Sequence, residues 1–157
     1  MHHDSQPYYL PDPSLTTYTS TDTSLPASSW MAPMSTLHPS TIVEICANWH
    51  LDDWPPFQLS LSQPSTHGFV DTAVIERLWK EQFEFLYREC PEDGSFIFPI
   101  SVHPQVSGKP QVVMLHERLI EWINGHPGVE WVTMGEIVDE FKSGRIRGVE
   151  VEGGVDV

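Results

Sequence analysis

The amino-acid sequence predicts an α/β domain in which short parallel strands alternate with helical crossovers. Two observations point there. Short β-branched or apolar runs at 41–47, 95–102 and 129–132 have strand length, and apolar residues recur at helical spacing over 72–90, 110–124 and 133–144. Their order, strand then helix three times over, is the pattern of a parallel layer or barrel. Three strands do not close a barrel, so an exposed edge and an uncovered face are expected.

Residues 1–40 are rich in Ser, Thr and Pro with few aliphatics, and read as an irregular segment that packs in part through Tyr8, Tyr9, Tyr18 and Trp30. Composition changes at Thr41, and Thr41–Ala47 is β-branched and short. That strand runs into Asn48-Trp49-His50-Leu51-Asp52-Asp53-Trp54-Pro55, where Pro55-Pro56 stops it. Residues 57–70 read as loop. Asp71 caps a helix over 72–90, with Val74, Ile75, Leu78, Trp79, Phe83, Phe85 and Leu86 on a broad apolar face. Pro91–Gly94 is a turn, and Ser95–Val102 is a strand interrupted by Pro99, which suits an edge or a bulge.

A second helix starts with Pro110 at its first position and carries Val112, Leu115, Leu119, Trp122 and Ile123 before Gly125 and Pro127. Val129–Val132 is a short strand. Thr133 and Glu136 have capping-box spacing and open a third helix that runs to Gly144. The organisation expected is an irregular segment at 1–40, an α/β domain at 41–144 and a flexible tail at 145–157.

Composition narrows the function. A net charge of -14 argues against a nucleic-acid-binding surface and against attraction to anionic lipid. No apolar run approaches the roughly 18 residues of a membrane span, and no secretory signal pattern opens the chain. The expectation is a soluble, cytoplasmic protein. The two cysteines, Cys46 and Cys90, have no companions at zinc or disulfide spacing and read as buried free thiols.

Strand C-terminal ends in such folds gather functional side chains on one rim. Asp52 or Asp53 and His103 would meet there at the ends of two strands. A carboxylate beside an imidazole orients the ring and favours its protonated form, which suits a general acid toward a leaving group. A hydrogen bond that only pins two loops would use the same residues.

The run from Phe98 to Pro110, with Ser101-Val102-His103-Pro104 and then Gly108-Lys109-Pro110, resembles the C-terminal His-Pro motif of polysaccharide deacetylases with the NodB-homology fold. The branch with peptidoglycan-deacetylase-like and allantoinase-like proteins is most similar. Trp49–Pro55 resembles its Asp-Trp motif, Trp131–Thr133 with Glu136-Ile137 its closing strand and helix, and Met1–Tyr8 the segment before the Asp-Trp motif. The likeness covers roughly residues 1–10 and 40–144.

It implies a partial (β/α) barrel without its N-terminal strands, with His103 as general acid and Asp53, or Asp52, as the acid that tunes it. Trp49, Asp52, Trp54 and Pro104 take substrate-binding positions. The family implies a divalent metal, usually zinc, held by a Thr-Phe-Asp-Asp-type motif and His-x-x-x-His. None of the eight histidines here is followed by another four positions on, so no metal ligand is assigned in this chain. His2-His3 is terminal, and His38, His50, His67, His116 and His126 read as surface or loop residues.

The implied parent reaction is metal-assisted hydrolysis of a carbon–nitrogen bond other than a peptide bond. The expected substrate is an N-acetylated sugar polymer or, in the other part of the branch, a small cyclic amide such as allantoin. This chain alone is expected to be inactive; it reads as a gene-model artefact, a pseudogene product or a genuine short protein, and the first of these expects the missing motifs in frame upstream of Met1. The rival reading is a non-catalytic interaction module that keeps part of the fold and self-associates or binds a partner.

Overall fold

The computed structural model describes residues 5–11, 24–31, 38–62, 66–90 and 94–146. The expectations for Met1–Asp4, Tyr18, the Pro91–Asp93 turn and most of the tail, 147–157, lie outside the described residues. In chain order the elements are β1 (Tyr8–Pro11), α1 (Ala27–Met31), β2 (Pro39–Glu44), a 3-10 turn (Trp49–Leu51), α2 (Trp54–Phe57), α3 (Thr72–Glu89), α4 (Pro104–Ser107), α5 (Pro110–Asn124) and α6 (Met134–Lys142).

The three long helices form where capping residues and apolar periodicity place them. The Asp71 carboxylate accepts from the Ala73 N–H and starts α3. Ile75, Trp79 and Phe83 then fall four residues apart on one buried stripe. The stripe is narrower than the sequence pattern: Val74, Leu78 and Phe85 belong to the same apolar arc but stay largely exposed, because α5 covers only its centre. Pro110 opens α5, whose Val112, Leu115 and Leu119 are fully buried against α3 and the turn at Leu51. The Phe83 ring is a hub, with Trp122 and Phe98 at 5.4 Å and Phe96 at 5.6 Å, all edge-on. In α6 the capping box is complete: Thr133 Oγ1 accepts from the Glu136 N–H, and the Glu136 carboxylate accepts from the Thr133 N–H.

The strands differ from expectation. The sheet among the described residues is a two-stranded antiparallel ribbon, with Tyr8 opposite Glu44 and Tyr9 opposite Val43. One of its strands comes from the segment expected to be irregular, where Tyr8 and Tyr9 favour extended backbone. Tyr9 also stacks toward Phe141 of α6, with centroids 4.9 Å apart. The strand expected at 41–47 runs instead over Pro39–Glu44.

Residues 95–102 do not form a strand, although Phe96, Phe98 and Ile100 alternate inward onto the core as strand side chains do. Their parallel pairing is reduced to one bridge, between Asp52 and Ser101. Pro99 has no N–H to donate, and a ladder needs partners along its length. Residues 129–132 are likewise unpaired: Val129 packs on the core, while Trp131 and Val132 face solvent. The described structure is therefore mixed helix and sheet with one parallel contact, and a partial barrel is not visible in it.

Cys46 and Cys90 stand outside any disulfide and are half-buried rather than buried. His126 lies half-buried in the loop after α5, its ring 4.5 Å from Trp122 and 4.9 Å from Phe83, with Nδ1 3.1 Å from the Trp122 carbonyl. No helix among the described residues is long and apolar enough to cross a membrane.

Candidate active site

The single parallel bridge brings the two polar motifs together. The Asp53 N–H donates to the Ser101 carbonyl at 3.1 Å, and the Ser101 N–H donates to the Leu51 carbonyl at 3.0 Å. Leu51 is fully buried and anchors one side, so the next residues of each segment, Asp53 and His103, emerge side by side. Asn48 shapes the approach by accepting from the His50 N–H, which tightens the turn before Asp52. Pro104 restricts the residue before it to extended backbone, and His103 sits at φ -107°, ψ 121° as the cap of α4.

Asp53 is the one buried charged side chain among the described residues, with no exposed surface. A bare carboxylate there would be costly, and four contacts compensate it. The His103 N–H donates to both oxygens, at 3.1 and 3.0 Å. His103 Nδ1 lies 2.7 Å from Oδ1, and the Ser107 hydroxyl donates to Oδ2 at 2.5 Å. Ser107 Oγ in turn lies 2.9 Å from Nε2 of His116 on α5.

Of the two adjacent acids, Asp53 is the one that engages His103. Asp52 Oδ1 is spent on the Trp54 N–H at 2.7 Å and stands 3.7 Å from His103 Nδ1. Trp54 is half-buried and covers the imidazole, with ring centroids 5.0 Å apart. Trp49 is not gathered into the cluster and is 77% exposed. Pro104 is exposed at the start of α4 and contributes through the backbone of His103.

His116 had been placed among surface or loop histidines, and the structure corrects this. It is half-buried, and its ring packs 5.8 Å from Trp79. Burial pushes its pKa below the ordinary histidine value, while the Asp53 charge pulls the other way. The signal was present in the sequence. Position 116 follows Val112 by four residues and precedes Leu119 by three, which puts it on the buried face of α5.

Asp52, Asp53 and His103 are also the grouping of metal-ligand type among the described residues, with donor atoms within 4.8 Å of one another. They do not fit an ion as they stand. Nδ1 of His103 is directed at Asp53, both Asp53 oxygens already accept hydrogen bonds, and Asp52 Oδ1 holds the Trp54 N–H. A cation would have to displace these hydrogen bonds. What the arrangement does well is fix one imidazole by one ionised carboxylate, leaving Nε2 free of that contact on a side chain 36% exposed.

No protein-family model matches the chain. Curated relatives do. It is 42% identical over 141 residues to a peptidoglycan deacetylase of Helicobacter pylori, covering 90% of this chain and 46% of the relative. It is 37% identical over 143 residues to the peptidoglycan deacetylase-like protein FGM2 of Gibberella zeae, covering 88% of this chain and 42% of that protein. The chain thus spans less than half the length of the curated relatives it matches. Identity at this level over nearly the whole chain, with the His-Pro and Asp-Trp motifs joined in one hydrogen-bonded cluster, makes this chain a C-terminal portion of the polysaccharide deacetylase family.

Proposed function

We propose that the chain supplies the proton-donating wall of a deacetylase site, with His103 as general acid and Asp53 as the group that orients it. The observation that carries this is the 2.7 Å contact between Nδ1 and a fully buried carboxylate. With Nδ1–H committed to Asp53, Nε2 is the ring position left to serve a substrate. When the amide carbon–nitrogen bond breaks, its electron pair stays on nitrogen, and the proton on Nε2 moves to that nitrogen. The names of the relatives favour acetylated glycan of the peptidoglycan type as substrate over a small cyclic amide. Activation of the attacking water by a metal and a base is assigned to the part of the family domain that this chain does not match. The partial barrel belongs to the same proposal, with residues 95–102 as one of its strands.

Two measurements test this. The purified chain, incubated with N-acetylglucosamine oligomers and zinc, releases no acetate under this reading; metal-dependent release would overturn its inactivity alone. A hybrid in which the chain replaces the matching part of the Helicobacter pylori relative releases acetate from peptidoglycan, and His103→Ala abolishes that. A folded hybrid without activity would falsify the assignment of the acid.

A second reading has its own observation. Ile42, Val102, Trp131 and Val132 are all large apolar side chains about half exposed or more. Under it the chain is an interaction module that associates through exposed apolar side chains such as these. Light scattering of the purified chain decides: a monomer at high concentration removes self-association.

A further inference from the structure

The proton count around Asp53 extends the site beyond the two residues that carry the proposed chemistry. An ionised carboxylate only accepts hydrogen bonds, so the hydroxyl proton of Ser107 is committed to Oδ2. Serine has one such proton. Its Oγ therefore meets His116 as an acceptor, and Nε2 of His116 must carry hydrogen. The same count at the other oxygen puts hydrogen on Nδ1 of His103. The chain of donors runs from His116 through Ser107 to Asp53, which also accepts from His103.

We propose that Ser107 and His116 are positioning residues for the proton donor, fixing the Asp53 carboxylate in the rotation that holds the His103 ring. This goes beyond the Asp–His pair and rests on the reading of His103 as the acid. Each link is built in rather than incidental. His103 caps α4 and Ser107 ends it, so one helical turn carries both partners of the carboxylate. Val106, fully buried between them, locks that turn to the core. His116 stands beside the fully buried Leu115 on α5, against Trp79 of α3. The donor order requires hydrogen on Nε2 of that ring, and half-burial, which opposes a charge there, fits the neutral Nε2–H tautomer.

Asp52 and Lys109, the other charged groups nearby, are occupied elsewhere. Asp52 accepts from the Trp54 N–H, and Lys109 Nζ donates to the Phe57 carbonyl. Without the Ser107 hydroxyl, Oδ2 keeps only the His103 N–H, and the carboxylate is held less firmly against rotation about its Cβ–Cγ bond. The imidazole would then lose the alignment that outer partners give to a working histidine.

Side-chain nitrogen NMR of the purified chain at neutral pH tests the order of donors without any need for activity. His116 is expected as the Nε2–H tautomer and His103 as a ring with hydrogen on Nδ1. In Ser107→Ala, exchange of the His103 Nδ1 hydrogen with water rises about tenfold, the scale of one lost hydrogen bond. Ser107→Thr keeps the hydroxyl and stays near the parent rate. So does His116→Gln, whose amide N–H replaces Nε2–H, whereas His116→Ala does not. Hydrogen on Nδ1 of His116, or His103 exchange unchanged in Ser107→Ala, overturns the proposal. Should Ser107→Ala fail to fold, the parent tautomers and the Ser107→Thr spectrum decide. An inactive hybrid enzyme would speak against the function proposed above and leave these spectra to judge the positioning residues.

Discussion

The helical layer and the extended segments of this chain obey different rules. In α3 and α5, Trp79, Leu115 and Leu119 are sealed from solvent in one core with the turn at Leu51. In residues 95–102 and 129–132 the side chains alternate or pack as a strand would, but the backbone has almost nothing to pair with. Helical hydrogen bonds close within the element, whereas a strand is completed only by its neighbours. The difference shows which elements complete themselves and which wait for a neighbour.

Three measurements sharpen that contrast. The largest effect is expected at Trp79, whose ring fills the helical layer and whose indole N–H donates to the His50 carbonyl at 2.7 Å. Trp79→Ala should cost roughly 3–5 kcal/mol and abolish cooperative unfolding in a urea titration followed by circular dichroism. Retention of a sharp transition would show that the layer is not where the stability lies.

A middle-sized effect comes from pH. Burial holds the folded-state pKa of His116 below the ordinary value of 6.5, so the unfolded chain binds that proton more readily. The contribution is fully present above 6.5 and is lost as pH falls from there toward the lowered folded value. His116→Gln should flatten the stability profile in that window. Glu76 acts in a lower one. Burial pushes its pKa up, but the bonds from Arg118 and Lys80 outweigh that and hold it below 4.5. Stability from this carboxylate is present above 4.5 and is lost below it as the folded-state value is passed. Thermal melts of parent and His116→Gln between the two regions separate them.

The smallest effect is expected in the extended segments. Val132 is 47% exposed and unpaired, so Val132→Ser should change stability by no more than about 0.5 kcal/mol. A larger loss in the chain by itself would mean that this segment is already packed in solution.

The same contrast explains what could be read from the residues alone. Helices α3, α5 and α6 were legible almost to their ends, because Asp71, Pro110, Gly125 and Thr133 mark boundaries by local chemistry. The parallel strands were not, since apolar runs at 95–102 and 129–132 say nothing about whether a partner is at hand. The ribbon escapes such a reading for the converse reason: Tyr8–Pro11 lies in a segment that reads as irregular, and only its pairing with Pro39–Glu44 makes it a strand. At the site, the motifs brought out Asp53 and His103, and the geometry chose between Asp52 and Asp53. Ser107 and His116 stayed hidden because neither lies in a motif with its partner. A lone histidine on an amphipathic helix gains meaning only once the turn carrying Ser107 is folded against it.

The bridge between Asp52 and Ser101 has a kinetic consequence. Asp53 and His103 are 50 residues apart, and the intervening chain contains the whole of α3. Their contact closes a long loop, so it is among the most expensive in chain entropy and belongs late in the folding sequence. Helices can form and collapse before it, but the donor–acceptor cluster cannot. The Trp54 indole, tilted against His103, therefore sits where its fluorescence reports that closure. In this chain the site is assembled by a long loop closure and is present in neither segment alone.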